Sequence, residues 1–121
     1  MRRYRFDPSA GRPVEAHGSH EVTASPLQHT PARLVATALH VDAGGELGAH
    51  EAPVDQLFLV VAGEGWAAGP DGARRPLIAG EAAFWHAGEY HGAGSATGMR
   101  VVVLEGEGLE PDAHLRAIDD A

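Results

Sequence analysis

Apolar and polar side chains alternate through residues 33–41, with Leu34, Ala36, Ala38 and His40 on one side and Val35, Thr37, Leu39 and Val41 on the other. A period of two predicts a strand, which Asp42, Ala43, Gly44 and Gly45 then turn. Residues 56–62 form the most apolar stretch: Phe58, Val60 and Ala62 share one face, Leu57, Leu59 and Val61 the other. A buried helical turn would read the same way. Gly63 and Gly65 closing the run, and its aromatic and β-branched content, favour a strand covered on both faces. Residues 66–68 and 74–78 flank Gly69, Pro70, Asp71 and Gly72, a tight reversal that predicts a β-hairpin. Residues 80–85 and 99–105 predict two more strands, separated by a Gly-rich stretch over 88–98 that carries His91. Only the tail reads as helical, with Pro111 suited to a first turn and Leu115 and Ile118 three apart.

These elements divide the chain into an N-terminal arm with one or two short edge strands (1–30), a β-barrel (31–108) and a short C-terminal helix or tail (109–121). The length, 121 residues, supports one such core. No repeat of 20–50 residues recurs, and seven or eight short strands leave a sandwich or barrel. The absence of cysteine excludes disulfides, zinc fingers and a thiolate nucleophile. A net charge of −8, with every one of the nine basic residues an arginine, argues against nucleic acid as a partner. The longest apolar run, residues 57–62, falls far short of the ~18 residues a membrane helix needs, so no membrane partner and a cytoplasmic location are the expectations.

Chemistry enters through spacing. Gly44, His50, Ala52, Gln56 and Gly63 form one gapped frame; Gly80, His86, Gly88, His91 and Ser95 form a second, about fifteen residues on. This pair resembles the two-motif signature of the cupins. There, the first motif is glycine, five residues, His-x-His, three or four residues, glutamate, six residues, glycine; the second is glycine, five residues, Pro-x-Gly, two residues, histidine, three residues, asparagine. The resemblance spans residues 44–95 and implies an all-β double-stranded β-helix, a jelly-roll whose cavity opens at one end. In metal-dependent members the histidines and glutamate converge on a divalent ion such as Fe, Mn, Ni or Zn.

Against that pattern, His50 and His91 keep two histidine positions, Ala52 replaces the second histidine and Gln56 replaces the glutamate. A methyl group cannot ligate, and an amide lacks the charge that offsets a cation. The resemblance therefore implies a depleted His50, Gln56, His91 set, with His40 or His86 as additional ligands if an ion is held at all. The other reading makes His50, Gln56 and His91 polar groups of a metal-free pocket, bonded to one another or to water. Trp85 and Tyr90, flanking the second frame, would shape its mouth or serve only as packing. Glu51, adjacent to His50 on a strand, points the other way and is solvated.

The sequence thus predicts a cupin-like barrel that binds a small organic molecule near His50, Gln56, His91, Trp85 and Tyr90. The alternative is a metal-dependent dioxygenase or isomerase built on the depleted site. A homodimer is expected, because the Leu57, Leu59 and Val61 face exceeds what a short tail helix covers.

Overall fold

The structure is a computed structural model that describes residues 1–28 and 33–118. In chain order the strands are β1 (Arg2–Arg5), β2 (Arg12–Pro13), β3 (Thr23–Ala24), β4 (Leu34–Val41), β5 (Glu46–Glu51), β6 (Gln56–Ala68), β7 (Arg74–Ile78), β8 (Glu81–Trp85), β9 (Tyr90–Gly94) and β10 (Met99–Gly106). A single helical turn, α1 (Pro111–His114), and a last strand, β11 (Arg116–Ala117), follow. Two antiparallel sheets share β6. Its first half pairs with β8 and β10 in the order β11-β1-β8-β6-β10-β4, and its second half pairs with β7 and β9, the latter also holding β5.

β6 passes from one sheet to the other at Gly63, where the sequence reading expected the strand to stop. The backbone there is left-handed (φ +78°), and a Cβ would run into the Gly98 carbonyl, so only glycine lets the strand turn this corner. The hairpin over 69–72 forms as expected, with Gly72 N–H donating to the Gly69 carbonyl at 2.9 Å.

The alternation then sorts side chains into two apolar layers. Phe58, Val60, Ala67, Leu77, Ala83, Trp85, Ala93, Met99, Val101 and Val103 fill the space between the sheets. On the outer face of the first sheet, Leu57, Leu59, Ala82 and Phe84 pack under Tyr4, Leu109 and Leu115. Each Val, Leu, Phe or Met side chain taken out of water here contributes roughly 1.5–3 kcal/mol. Leu57 and Leu59 are each only 1% exposed, so the face read as a subunit interface is covered by the chain's own N-terminal strand and tail. Val61 alone of that trio stays half exposed.

The short C-terminal helix forms as expected, with Pro111 in its turn, and β2 and β3 pair only with each other; β1 and the residues after the helix differ from expectation. β1 is not an edge strand: it lies between β8 and β11, in register from Arg2 opposite Phe84 to Arg5 opposite Glu81. The tail helix ends after one turn, because the stretch beyond it extends and pairs back on β1, with Ile118 N–H on the Arg3 carbonyl at 2.8 Å. Local spacing of Leu115 and Ile118 suggested a helix; a long-range strand partner overrides it. No helix among the described residues is long and apolar enough to cross a membrane.

Candidate functional site

A cavity of about 170 Å3 opens between the sheets. Its walls are mostly apolar, with Leu39 from β4, Leu47 from β5, Phe58 from β6, Trp85 from β8, Ala93 from β9 and Val103 from β10. Four polar groups that carry its chemistry join them: His50, Gln56, His91 and Glu105.

The two histidines face each other as a direct cross-strand pair of β5 and β9. Strict alternation would send Leu47 and His50 to opposite faces, yet both line the cavity, because the β5–β9 register shifts between them. Such a bulge re-aims the side chains beyond it. The imidazole Nε2 atoms stand 3.0 Å apart, and the rings meet edge to face with centroids 4.3 Å apart. His50 Nδ1 lies 2.8 Å from the Gly48 carbonyl. A carbonyl only accepts, so this nitrogen carries hydrogen, and the lone pair of neutral His50 is on Nε2.

His91 is buried beneath this contact, with its ring against the edge of Trp85 at 4.8 Å. Burial, and secondarily the His50 charge, hold its pKa below the usual histidine value. It is therefore a neutral imidazole near pH 7. Trp85 lines the wall but spends its indole N–H on the Ala68 carbonyl at 3.1 Å, so it offers a ring face and no donor.

Gln56 and Glu105 form a second cross-strand pair, on β6 and β10, in which Gln56 Nε2 donates to Glu105 Oε1 at 3.0 Å. Glu105 was missed in the sequence. It continues the inward series Met99, Val101 and Val103 by the same period of two, and that alternation was the signal available. The carboxylate that the first motif lacks at Gln56 thus reaches the cavity from the neighbouring strand.

Other expected site residues lie elsewhere. Tyr90, one residue before His91, points out of the barrel and is 58% exposed. His40 pairs with Arg100 on the outer face of β4, since Thr37 and Leu39 turned out to be the inward set. His86 sits outside on Phe84, ring centroids 4.9 Å apart, with Asp55 Oδ1 3.9 Å from its Nδ1. Neither can complete a shell with His50 and His91. Ala52 is buried, and Glu51 is exposed as expected. Ser95 serves the turn, donating to the Glu64 carbonyl and accepting from Gly98 N–H at 2.8 Å.

The donors do not fit a resident divalent ion. Two imidazoles and a neutral amide supply no charge, and no three His, Asp or Glu side chains among the described residues gather at a spacing that could hold a metal.

No family model and no curated protein matches the chain. Solved structures do. It is similar to an uncharacterized conserved protein with a double-stranded β-helix domain from Klebsiella pneumoniae (22% identity, 93% of each chain covered, TM-score 0.57). It is also similar to an RmlC-like cupin from Shewanella frigidimarina (26% identity, 69% of this chain and 74% of that one, TM-score 0.58). KdgF from Halomonas sp. is a third (25% identity, 66% of this chain and 74% of that one, TM-score 0.53). The class is thereby defined: an antiparallel double-stranded β-helix. More particularly, the chain takes the fold of the cupin superfamily, in agreement with its two glycine frames.

Proposed function

We propose that the chain binds a small organic molecule in its barrel cavity, without a resident metal. The observation that supports this best is the His50–His91 contact: two imidazoles satisfy each other at 3.0 Å on the wall of a mostly apolar cavity, so their polarity needs no ion to offset it. A volume of about 170 Å3 is close to that of an apolar cavity known to admit benzene, which limits the occupant to roughly six to nine heavy atoms. Its apolar body would lie on Phe58, Trp85 and Val103, and its polar end on the His50, Gln56, His91 and Glu105 side.

The metal-dependent dioxygenase or isomerase reading has less behind it, because Ala52 and Gln56 remove a ligand and a charge that His40 and His86, turned outward, do not restore. A homodimer also stays a proposal, and the covered Leu57 and Leu59 no longer argue for it.

A fragment screen by protein NMR, joined to elemental analysis of protein purified without a histidine tag, tests the reading. Fragments of this size should shift the Trp85, His91 and Gln56 side-chain signals, equally with and without EDTA. A stoichiometric ion lost together with ligand binding on His50→Ala or His91→Ala would overturn it.

A further inference from the structure

The charge inventory of the cavity narrows the occupant further. Among the described residues, Glu105 is the one formally charged side chain on its wall and no arginine lines it. Only one neutral donor, Gln56 Nε2, reaches this carboxylate among the described residues. Glu105 is half-buried, faces a largely apolar space and takes a single amide hydrogen bond, so it keeps acceptor capacity that a ligand cation can use.

The surroundings point the same way. Gln56 spends an N–H on Glu105, and its Oε1 is an acceptor and not a donor on the same cavity-lining side chain. The Trp85 and Phe58 rings line the same space, and aromatic faces attract a cation electrostatically. His91 is neutral near pH 7 and adds no competing charge. A carboxylate or phosphate ligand would meet the Glu105 charge with no arginine among the described lining residues, and the overall charge of −8 opposes its approach while favouring that of a cation.

From this arrangement we infer that the site selects a small organic cation, a primary ammonium on a compact apolar body, with Glu105 as the residue that sets the preference. The ammonium donates to Glu105 and Gln56, and the apolar body rests against Phe58 and Trp85. This deepens the proposed function and rests on it, since it presumes that the cavity is a ligand site.

Isothermal titration of the full chain with benzylamine, benzyl alcohol and benzoate, and with the smaller set butylamine, butanol and butyrate, separates the two claims. The ammonium member of at least one set should bind at least about tenfold more tightly than its alcohol, the scale of one charge-assisted hydrogen bond. The carboxylates should not bind. Glu105→Gln, which keeps shape, should abolish the preference of ammonium over alcohol, and Glu105→Asp should keep part of it. Binding should perturb the Trp85 indole NMR signal, which locates it in the cavity. If the alcohols or carboxylates bind as well as the amines, or if the preference survives Glu105→Gln, the inference fails and the cavity reading stands. If no member of either set perturbs Trp85 at millimolar concentration, both fail together.

Discussion

The Nε2 atoms of His50 and His91 stand close enough to share one proton and too close to carry two. Because His50 Nδ1–H is committed to the Gly48 carbonyl, the neutral pair has a single arrangement, in which His91 Nε2–H donates to the His50 lone pair. Long-range nitrogen–proton NMR should therefore find His50 as the Nδ1–H tautomer and His91 as the Nε2–H tautomer. Finding His50 as Nε2–H near neutral pH would contradict the arrangement.

The same burial makes stability depend on pH. His91 has a folded pKa below that of the unfolded chain, with burial as the main cause and the His50 charge as the second. Above the ordinary histidine value both states are neutral there and nothing is lost. As pH falls through that value the unfolded chain takes up a proton that the folded chain still refuses, so the balance shifts toward unfolding until the lower, folded pKa is passed. Urea midpoints measured from pH 8 down to pH 5 should decline, and His91→Gln should flatten that decline. An equal decline in the variant would assign the effect to other groups.

Gln56 holds the cavity carboxylate, so Gln56→Leu should do more than lose one hydrogen bond. It leaves the half-buried Glu105 facing the cavity with no protein donor among the described residues, at a cost of about 1 kcal/mol. The double change Gln56→Leu with Glu105→Leu should recover much of it, because removing both partners removes the orphan. Chemical denaturation of the three variants checks this, and a double variant less stable than Gln56→Leu alone would refute it.

Two glycines with the same backbone conformation allow a cleaner comparison. Gly63 and Gly72 both have left-handed backbones, φ +78° and +72°, but nothing lies near a Cβ at 72 while the Gly98 backbone blocks one at 63. Gly72→Ala should cost only the conformational penalty of about 1–2 kcal/mol. Gly63→Ala must also displace β10 from the corner, so its thermal midpoint should fall well below that of Gly72→Ala. Equal losses would show that the strand crossing is not tightly packed.

How much of this was legible in the sequence follows from whether the information is local. The two glycine frames located His50, Gln56 and His91, because spacing along the strands and turns encodes which positions converge when the barrel closes. The direction of β4 was not encoded, since both of its alternating sets are largely apolar, and His40 was assigned inward when Thr37 and Leu39 are the cavity residues. Tyr90 adjoins His91 and therefore faces outward, a consequence of β9 forming inside a Gly-rich stretch that read as a turn. Glu105 ends an apolar run, where a charge ordinarily means solvent; its parity with Val101 and Val103 pointed inward, and pairing with Gln56 bears that parity out. The tail misled for a related reason, since β11 exists only because β1 is there to pair with.

That dependence makes Tyr4 the residue on which the N-terminal strand turns. Its ring is 1% exposed among Leu57, Leu59, Phe84, Leu109 and Leu115, and its hydroxyl donates to Asp112 Oδ1 at 2.8 Å, tying β1 to α1. Burial first, and then the Asp112 hydrogen bond and charge, push its pKa up to about 12. Tyr4→Phe keeps the packing and leaves Asp112, itself largely solvated, free to bond water; the loss should be about 1 kcal/mol or less. Tyr4→Ala opens the outer layer and should cost about 3–5 kcal/mol. If β1 and the tail cover the sheet as one unit, hydrogen exchange in Tyr4→Ala should accelerate at Ile118 as well as in β1, because Ile118 N–H is held by the Arg3 carbonyl. Protection at Ile118 that survives Tyr4→Ala would mean the tail holds its place without the strand.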